Sequence, residues 1–208
     1  MSFCIRLIGP VGKALLVVGA AGGLCMAPYF ADAANENKEG LDVTLTANIV
    51  ENTCQISISG NGTVHLPTVS RRWFYNDDGT SRLQPGAPAS GTLFSVNVES
   101  CSGDATTVNT LTFGFKPQNG IWPVESQQVF INEAPAAAGG AENVGIVIFS
   151  THDNRNVVNS DGSSAVVIDV SKADNYLASY DFYARYQNTG TVTPGKVNSH
   201  VLVDAIYQ

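Results

Sequence analysis

The chain has 208 residues, enough for one domain or two small ones, and carries 11 basic against 18 acidic residues, a net charge of −7. An acidic chain repels phosphates, so nucleic acid is excluded as an expected partner. Four cysteines and the scattered His65, His152 and His200, without C-x-x-C or H-x-x-x-H spacing, leave no ligand set for zinc.

The first segment reads as an export signal. Arg6 and Lys13 precede an apolar, Gly-rich stretch over 14–27, and Ala31-Asp32-Ala33 supplies a small-x-small cleavage pattern. The apolar stretch is shorter than the roughly 20 residues a membrane-spanning helix needs. Residues 1–33 are therefore expected to be a signal peptide. Removing Arg6, Lys13 and Asp32 with it leaves 9 basic and 17 acidic residues, a net of −8. Cys4 and Cys25 leave as well, so Cys54 and Cys101 remain as an even pair in an exported chain, which predicts one disulfide.

Residues 34–50 form a separate extension. Within it Leu41, Val43, Leu45, Ala47 and Ile49 alternate with Asp42, Thr44, Thr46 and Asn48, which gives a strand with one apolar face. Residues 51–208 form the remaining domain. Asn61-Gly62-Thr63 fits a glycosylation sequon, but Asn-Gly reads as a turn. A long loop or loose hairpin is predicted over 70–91, where Asn76-Asp77-Asp78-Gly79 and Pro85-Gly86 are turn signals. At its entry stands Arg71-Arg72-Trp73-Phe74-Tyr75. Two readings fit that cluster: Trp73 and Tyr75 could stack on a glycan, or Trp73 and Phe74 could close one end of the fold with Tyr75 on the surface.

Strands follow. Phe94, Val96 and Val98 lead into Cys101, and Leu111, Phe113 and Phe115 make a second alternation. A flexible connector is predicted over 134–141, Ala-Pro-Ala-Ala-Ala-Gly-Gly-Ala. Segments 143–149 and 165–170 are β-branched runs, and Tyr180, Phe182, Ala184 and Tyr186 share one strand face. No segment carries a helical period. The class is all-β, and short strands with one disulfide favour an immunoglobulin-like sandwich.

The chain closes on Gly195 and an alternating run through Val201, Val203, Ala205 and Tyr207, ending at Gln208. An apolar terminal strand with nothing after it lacks an evident partner, while 41–49 is a spare strand. That combination argues for polymerisation, while a completed sheet with 41–49 paired inside its own molecule is the other reading of the same periodicity. No catalytic set accompanies it: His152-Asp153 beside Ser150 and Thr151 lies on an extended segment whose neighbours face opposite ways, and no G-x-S-x-G elbow is present. The chain is not expected to be an enzyme and needs no cofactor or metal. Asp77, Asp78 and Asp161 lack calcium-loop spacing and read as turn residues.

The residues resemble the pilin subunits of chaperone–usher fimbriae of Gram-negative bacteria, type 1 in style. Those proteins end in a penultimate Tyr with a Gly fourteen residues from the end, matched by Tyr207 and Gly195. Tyr183-Ala184-Arg185-Tyr186, Thr189-Gly190, Thr193-Pro194-Gly195 and Asn143-Val144-Gly145-Ile146 are similar too. Phe94-x-Val96-x-Val98-x-x-Cys101 resembles the strand bearing the second cysteine, and Cys54 stands where the first is found. The likeness spans roughly 40–208.

The resemblance implies an immunoglobulin-like sandwich lacking its last strand, with an N-terminal donor-strand extension that fills the gap of a neighbouring subunit. Leu41, Val43, Leu45, Ala47 and Ile49 would be the donor residues; Ala47 departs from the Gly usual there. Burying the four large aliphatics would contribute up to ~1.5–3 kcal/mol each before ordering costs. Gly195, Val201, Val203, Ala205, Tyr207 and Gln208 would form the acceptor strand, first covered by a periplasmic chaperone that anchors the terminal carboxylate. An outer-membrane usher, neighbouring pilins and, through the fimbria, a host-cell receptor complete the implied partners. The implied role is a structural subunit of an adhesive fimbria, exported through the periplasm to the cell surface. A minor or tip subunit that itself binds a host glycan is the alternative.

Overall fold

A computed structural model describes residues 41–47, 54–102, 108–173 and 175–208, all within the compact unit that spans 38–208. The signal segment lies outside the described residues. So do Asn48, Ile49 and the connector to Cys54.

Ten strands are described: β1 (Leu41–Ala47), β2 (Cys54–Ile58), β3 (Thr63–Leu66), β4 (Thr92–Cys101), β5 (Thr110–Pro117), β6 (Phe130–Ile131), β7 (Val144–Ser150), β8 (Val166–Asp169), β9 (Ser179–Asn188) and β10 (Ser199–Tyr207). They form two five-stranded sheets, ordered β3-β1-β10-β5-β8 and β2-β4-β9-β7-β6. The all-β, immunoglobulin-like sandwich expected from the alternation is what the chain adopts. Between the sheets lie Phe94, Phe113, Phe115, Phe182, Ile146, Ile148, Val201 and Val203, each 5% exposed or less. Phe182 packs against Phe94, Phe113 and Phe115 with ring centroids 5.1–5.8 Å apart, so both sheets converge on one aromatic ring.

Strand β7 is buried at every position, Val144 through Ser150. A strand with one wet face would alternate, so something must cover its second face. Val147, Phe149 and Tyr183, with Val129, form a second small core there, and Phe149 stacks on Tyr183 at 5.2 Å. The long loop after Tyr75 supplies the cover. Polar side chains, chiefly from β9, hold its carbonyls. Arg185 donates to Gln84 O (3.0 Å) and Ala87 O (2.7 Å). Gln187 donates to Leu83 O (2.8 Å), Asn188 to Ser81 Oγ (2.8 Å) and Asn156 to Pro85 O (3.0 Å). Arg185 is 3% exposed, lies over the Phe149 ring and makes hydrogen bonds to oxygens without a carboxylate among them. Burial pushes its pKa down to about 10, so it stays protonated at neutral pH.

The turns use acidic residues as expected. Asp78, Asp161 and Asp169 each accept the backbone N–H and the hydroxyl of the residue two positions on, Thr80, Ser163 and Ser171. Asn61 sits in a left-handed turn conformation at φ 56° beside Gly60 at φ 68°, the turn read from Asn61-Gly62.

Two expectations need correction. Segment 134–141 is not a slack connector: it holds a 3-10 turn over Ala136–Ala138, and Gly140 pairs with Lys196 beside the start of β10. The terminal strand also has partners on both edges within its own chain, β5 antiparallel and β1 parallel. Residues 54–208 alone would leave β3 and β10 unjoined; β1 lies between them. An unpaired apolar strand edge is a liability, and the alternating segment six residues before Cys54 is the piece of chain at hand to cover it.

The slot beside the C-terminal strand

The candidate site is the position in the sheet between β3 and β10. On β10, Val201 and Val203 are fully buried and Ala205 nearly so, while His200, Leu202, Asp204 and Ile206 face outward. The alternation of the terminal strand therefore reports its inward row. Antiparallel pairing fixes one edge of β10 against β5, from Val201 opposite Pro117 to Tyr207 opposite Leu111. The other edge meets β1 in parallel register, Val43 opposite Ser199 through Ala47 opposite Val203. On its far side β1 runs antiparallel to β3, Leu41 opposite Leu66 through Thr44 opposite Thr63.

The two ends of β10 are held differently. At the C-terminal end, Gln208 N–H donates to Thr110 O (3.0 Å), and Gln208 O accepts from Asn109 and Thr110 N–H (2.7 and 2.9 Å). The Tyr207 hydroxyl donates to Ser102 O. The other end is a clamp built by residues that the periodicity did not single out. Asn132 Nδ2 donates to Ala141 O (2.7 Å) and Lys196 O (2.9 Å), and its Oδ1 accepts Asn198 N–H (2.8 Å). Glu133 Oε2 meets His200 Nδ1 at 2.5 Å, and Ser199 Oγ donates to Ile131 O at 2.5 Å. Gly195 runs against the backbone of 139–141 where no side chain fits. An Asn before the small residues of 134–141 was the one available signal.

Next to this clamp is an apolar cavity of about 260 Å³, lined by Val69, Phe74, Val144, Tyr186, Val192 and Val197, with Gly195 at its edge. Tyr186 is 3% exposed, and burial pushes its phenol pKa up. Among the described residues its hydroxyl has no hydrogen-bond partner. The parallel register of Val43 opposite Ser199 sets Leu41, the first residue of β1, level with Val197 in the lining of this cavity.

The expected glycan residues lie elsewhere. Trp73 packs edge-on against Phe74 and Tyr186, and Arg82 lies over its ring at 5.2 Å. Tyr75 hydroxyl donates to Gly190 O (3.2 Å) and accepts Val192 N–H (2.8 Å). Tyr75 therefore braces the segment leading to Gly195, and Trp73 packs onto Phe74 and Tyr186. Cys54 and Cys101 form a disulfide across 47 residues of chain, joining the start of β2 to the end of β4.

Comparison with known proteins agrees with this architecture. The family model described as "Fimbrial protein" matches residues 43–208. The chain is 36% identical over 177 residues to an uncharacterized fimbrial-like protein, YadK, of Escherichia coli K12, covering 81% of this chain and 86% of that one. It is 32% identical over 166 residues to the minor fimbrial subunit HifD of Haemophilus influenzae, covering 76% and 69%. The major fimbrial subunit SMF-1 of Stenotrophomonas maltophilia is 29% identical over 189 residues, covering 88% and 99%. A sandwich whose last strand shares its sheet with an N-terminal segment, together with a family match over 43–208, leaves one conclusion: the chain belongs to the fimbrial protein family.

Proposed function

We propose that this chain is a structural subunit of an adhesive surface fimbria and that it polymerises by strand exchange. The segment 41–49 of one copy replaces β1 in the slot of the next. Export through the periplasm, temporary cover by a chaperone and assembly at an outer-membrane usher belong to the same reading.

The observation that carries it is that, among the described residues, β3 and β10 are joined only through β1, a strand from outside residues 54–208. In the chain's own parallel pairing, Val43 opposite Ser199 sets Leu41 level with Val197, which lines the cavity at the start of β10. A strand arriving from another molecule is not bound by the short connector to Cys54 and is free to enter antiparallel. Antiparallel pairing is slightly the more stable sense. Inverting the strand about the same register sets Ala47 opposite Ser199 and carries Ile49 opposite Val197, a residue that lines the cavity. Either sense therefore sets an aliphatic residue level with Val197, Leu41 in the parallel strand and Ile49 in the inverted one. Leu45 and Val43 would then lie opposite Val201 and Val203, which supports the inward row equally well in either sense.

Deleting residues 35–49 tests the proposal: the truncated subunit should bind chaperone yet fail to extend fibres under electron microscopy. Normal fibres from the deletant would overturn it. Ile49→Asp should slow extension while leaving the fold of the free subunit unchanged.

A further inference from the structure

The geometry points to the loop Ile121-Trp122-Pro123-Val124 as the docking surface for the body of a second copy, the copy whose leading strand occupies the slot. This inference rests on the strand-exchange reading and adds to it a contact between domains.

The loop is exposed and apolar. Val124 is 88% exposed and Ile121 55%. It is also ordered by its own bonds. Ile121 N–H donates to Asn119 Oδ1 (2.8 Å), Ser126 N–H to Pro123 O (3.3 Å), and Asn119 Nδ2 to Glu133 Oε1 (3.0 Å). Trp122 anchors it against Phe130, rings 5.5 Å apart. Glu125 takes a left-handed backbone at φ 65°, which is costly for a residue with a side chain. An apolar tip held out in a strained, prebonded turn is organised before it binds, which lowers the ordering cost of an interface.

The loop stands at the end of the sandwich where the donor strand would leave the slot. Gln118 N–H bonds His200 O (3.0 Å), and Glu133 joins Asn119 to His200. A cleft of about 560 Å³ separates Pro123, Val124 and Glu125 from Ala141, Glu142 and Val144. Two of those residues, Ala141 and Val144, also line the cavity proposed to take Ile49. From Ile49 to Cys54 a donor chain has five residue steps, a reach of at most ~18 Å. The donor's own domain is therefore tethered against this end of the acceptor. A strand entering in the parallel sense would deliver it to the end near Gln208 instead.

The donor presents the end that carries Cys54. There the Cys54–Cys101 disulfide, Ser102 below Tyr207 and the turn before β9 come together, and Leu177 in that turn is 37% exposed. Two different surfaces meet in this contact, so it is head-to-tail, the kind that propagates along a fibre when the rotation does not close.

The test uses full-length chain assembled into fibres, comparing wild type with Val124→Asp and the Ile121→Asp/Val124→Asp pair. Both sites are exposed, so thermal midpoint and disulfide formation should match wild type. The variant fibres should form, yet dissociate in denaturant at least ~10-fold faster. A photo-crosslinking side chain at Val124 should capture the neighbouring copy near Cys101 or Leu177. Wild-type dissociation rates, crosslinks confined to other regions, or unchanged fibres with lost cell binding would each overturn the inference. Loss of fibres in the 35–49 deletion together with unchanged dissociation of the Val124 variants would leave strand exchange standing and remove only this contact.

Discussion

The backbone nitrogen of Ala141 lies 2.4 Å from the point where a Cβ on Gly195 would stand. Gly140 C and Gly139 O are nearly as close, at 2.6 and 2.7 Å. These are backbone atoms fixed by Lys196 N–H to Gly139 O and Ala141 N–H to Lys196 O, both 2.8 Å, so they cannot swing aside. Gly195→Ala should therefore cost about 2–3 kcal/mol and lower the thermal midpoint by roughly 5–10 °C. Circular dichroism melts check this. An unchanged midpoint would mean that the clamp yields.

The Cys54–Cys101 bridge ties two adjacent strands over a separation of 47 residues. Cys54→Ser/Cys101→Ser should lose about 2–5 kcal/mol of stability, read as a lower urea midpoint. Because β2 and β4 remain paired by their ladder, the far-ultraviolet spectrum of the folded variant should match wild type.

Removing the guanidinium at Arg185 strands the carbonyls of Gln84 and Ala87 under the loop. Arg185→Ala should cost about 2–3 kcal/mol, since buried acceptors lose their donors and the second core loses packing. Its local signature is faster hydrogen exchange over residues 82–90 and quicker tryptic cleavage at Arg82. Arg185→Lys should rescue little, because one ammonium with three donors cannot serve both the loop carbonyls held by Nη2 and the Tyr186 O and Gln187 Oε1 held by Nη1. Uniform loosening of the whole sandwich would contradict this assignment.

The acidic turns set a pH dependence. The hydroxyls of Thr80, Ser163 and Ser171, then their amides, hold the carboxyls of Asp78, Asp161 and Asp169 below the ordinary value of 3.8. A depressed folded pKa means that stability is present above 3.8 and is lost as pH falls through the folded value. Urea midpoints should hold steady from pH 7 to about 5 and fall below about 4. Asp161→Asn should flatten that fall. Arg185 stays protonated throughout this range, so it adds no slope.

The strands were legible because alternation against an apolar core leaves a period in the sequence. Val201, Val203 and Ala205 announced the inward row of β10, and Phe94, Val96 and Val98 that of β4. Periodicity reports which face a residue takes and not which strand lies alongside, so pairing of 41–49 within its own molecule was one reading, but neither β10 as its neighbour nor the parallel sense could be read. Arg185 and Gln187 read as outward polar residues on an alternating strand. They do face outward, but into their own loop, a contact about 100 residues distant in sequence that no local window contains. The clamp at Asn132 and Glu133 escaped for the same reason: its geometry joins three separate segments. Phe74, in the cluster at 71–75, closes against the core as one of the two readings held, with Trp73 packed on it.

The covalent link between Cys54 and Cys101 has a mechanical meaning in a fibre pulled end to end. Under the proposed strand exchange, tension carried by a strand lodged in the next subunit would enter its own domain at Cys54, the first residue of β2. Without the bridge, that pull would unzip β2 from β4 one rung at a time, starting at the rung that bears the force. With it, the force would pass at once into β4, the neighbour of central β9, and rupture would demand that several strands shear together.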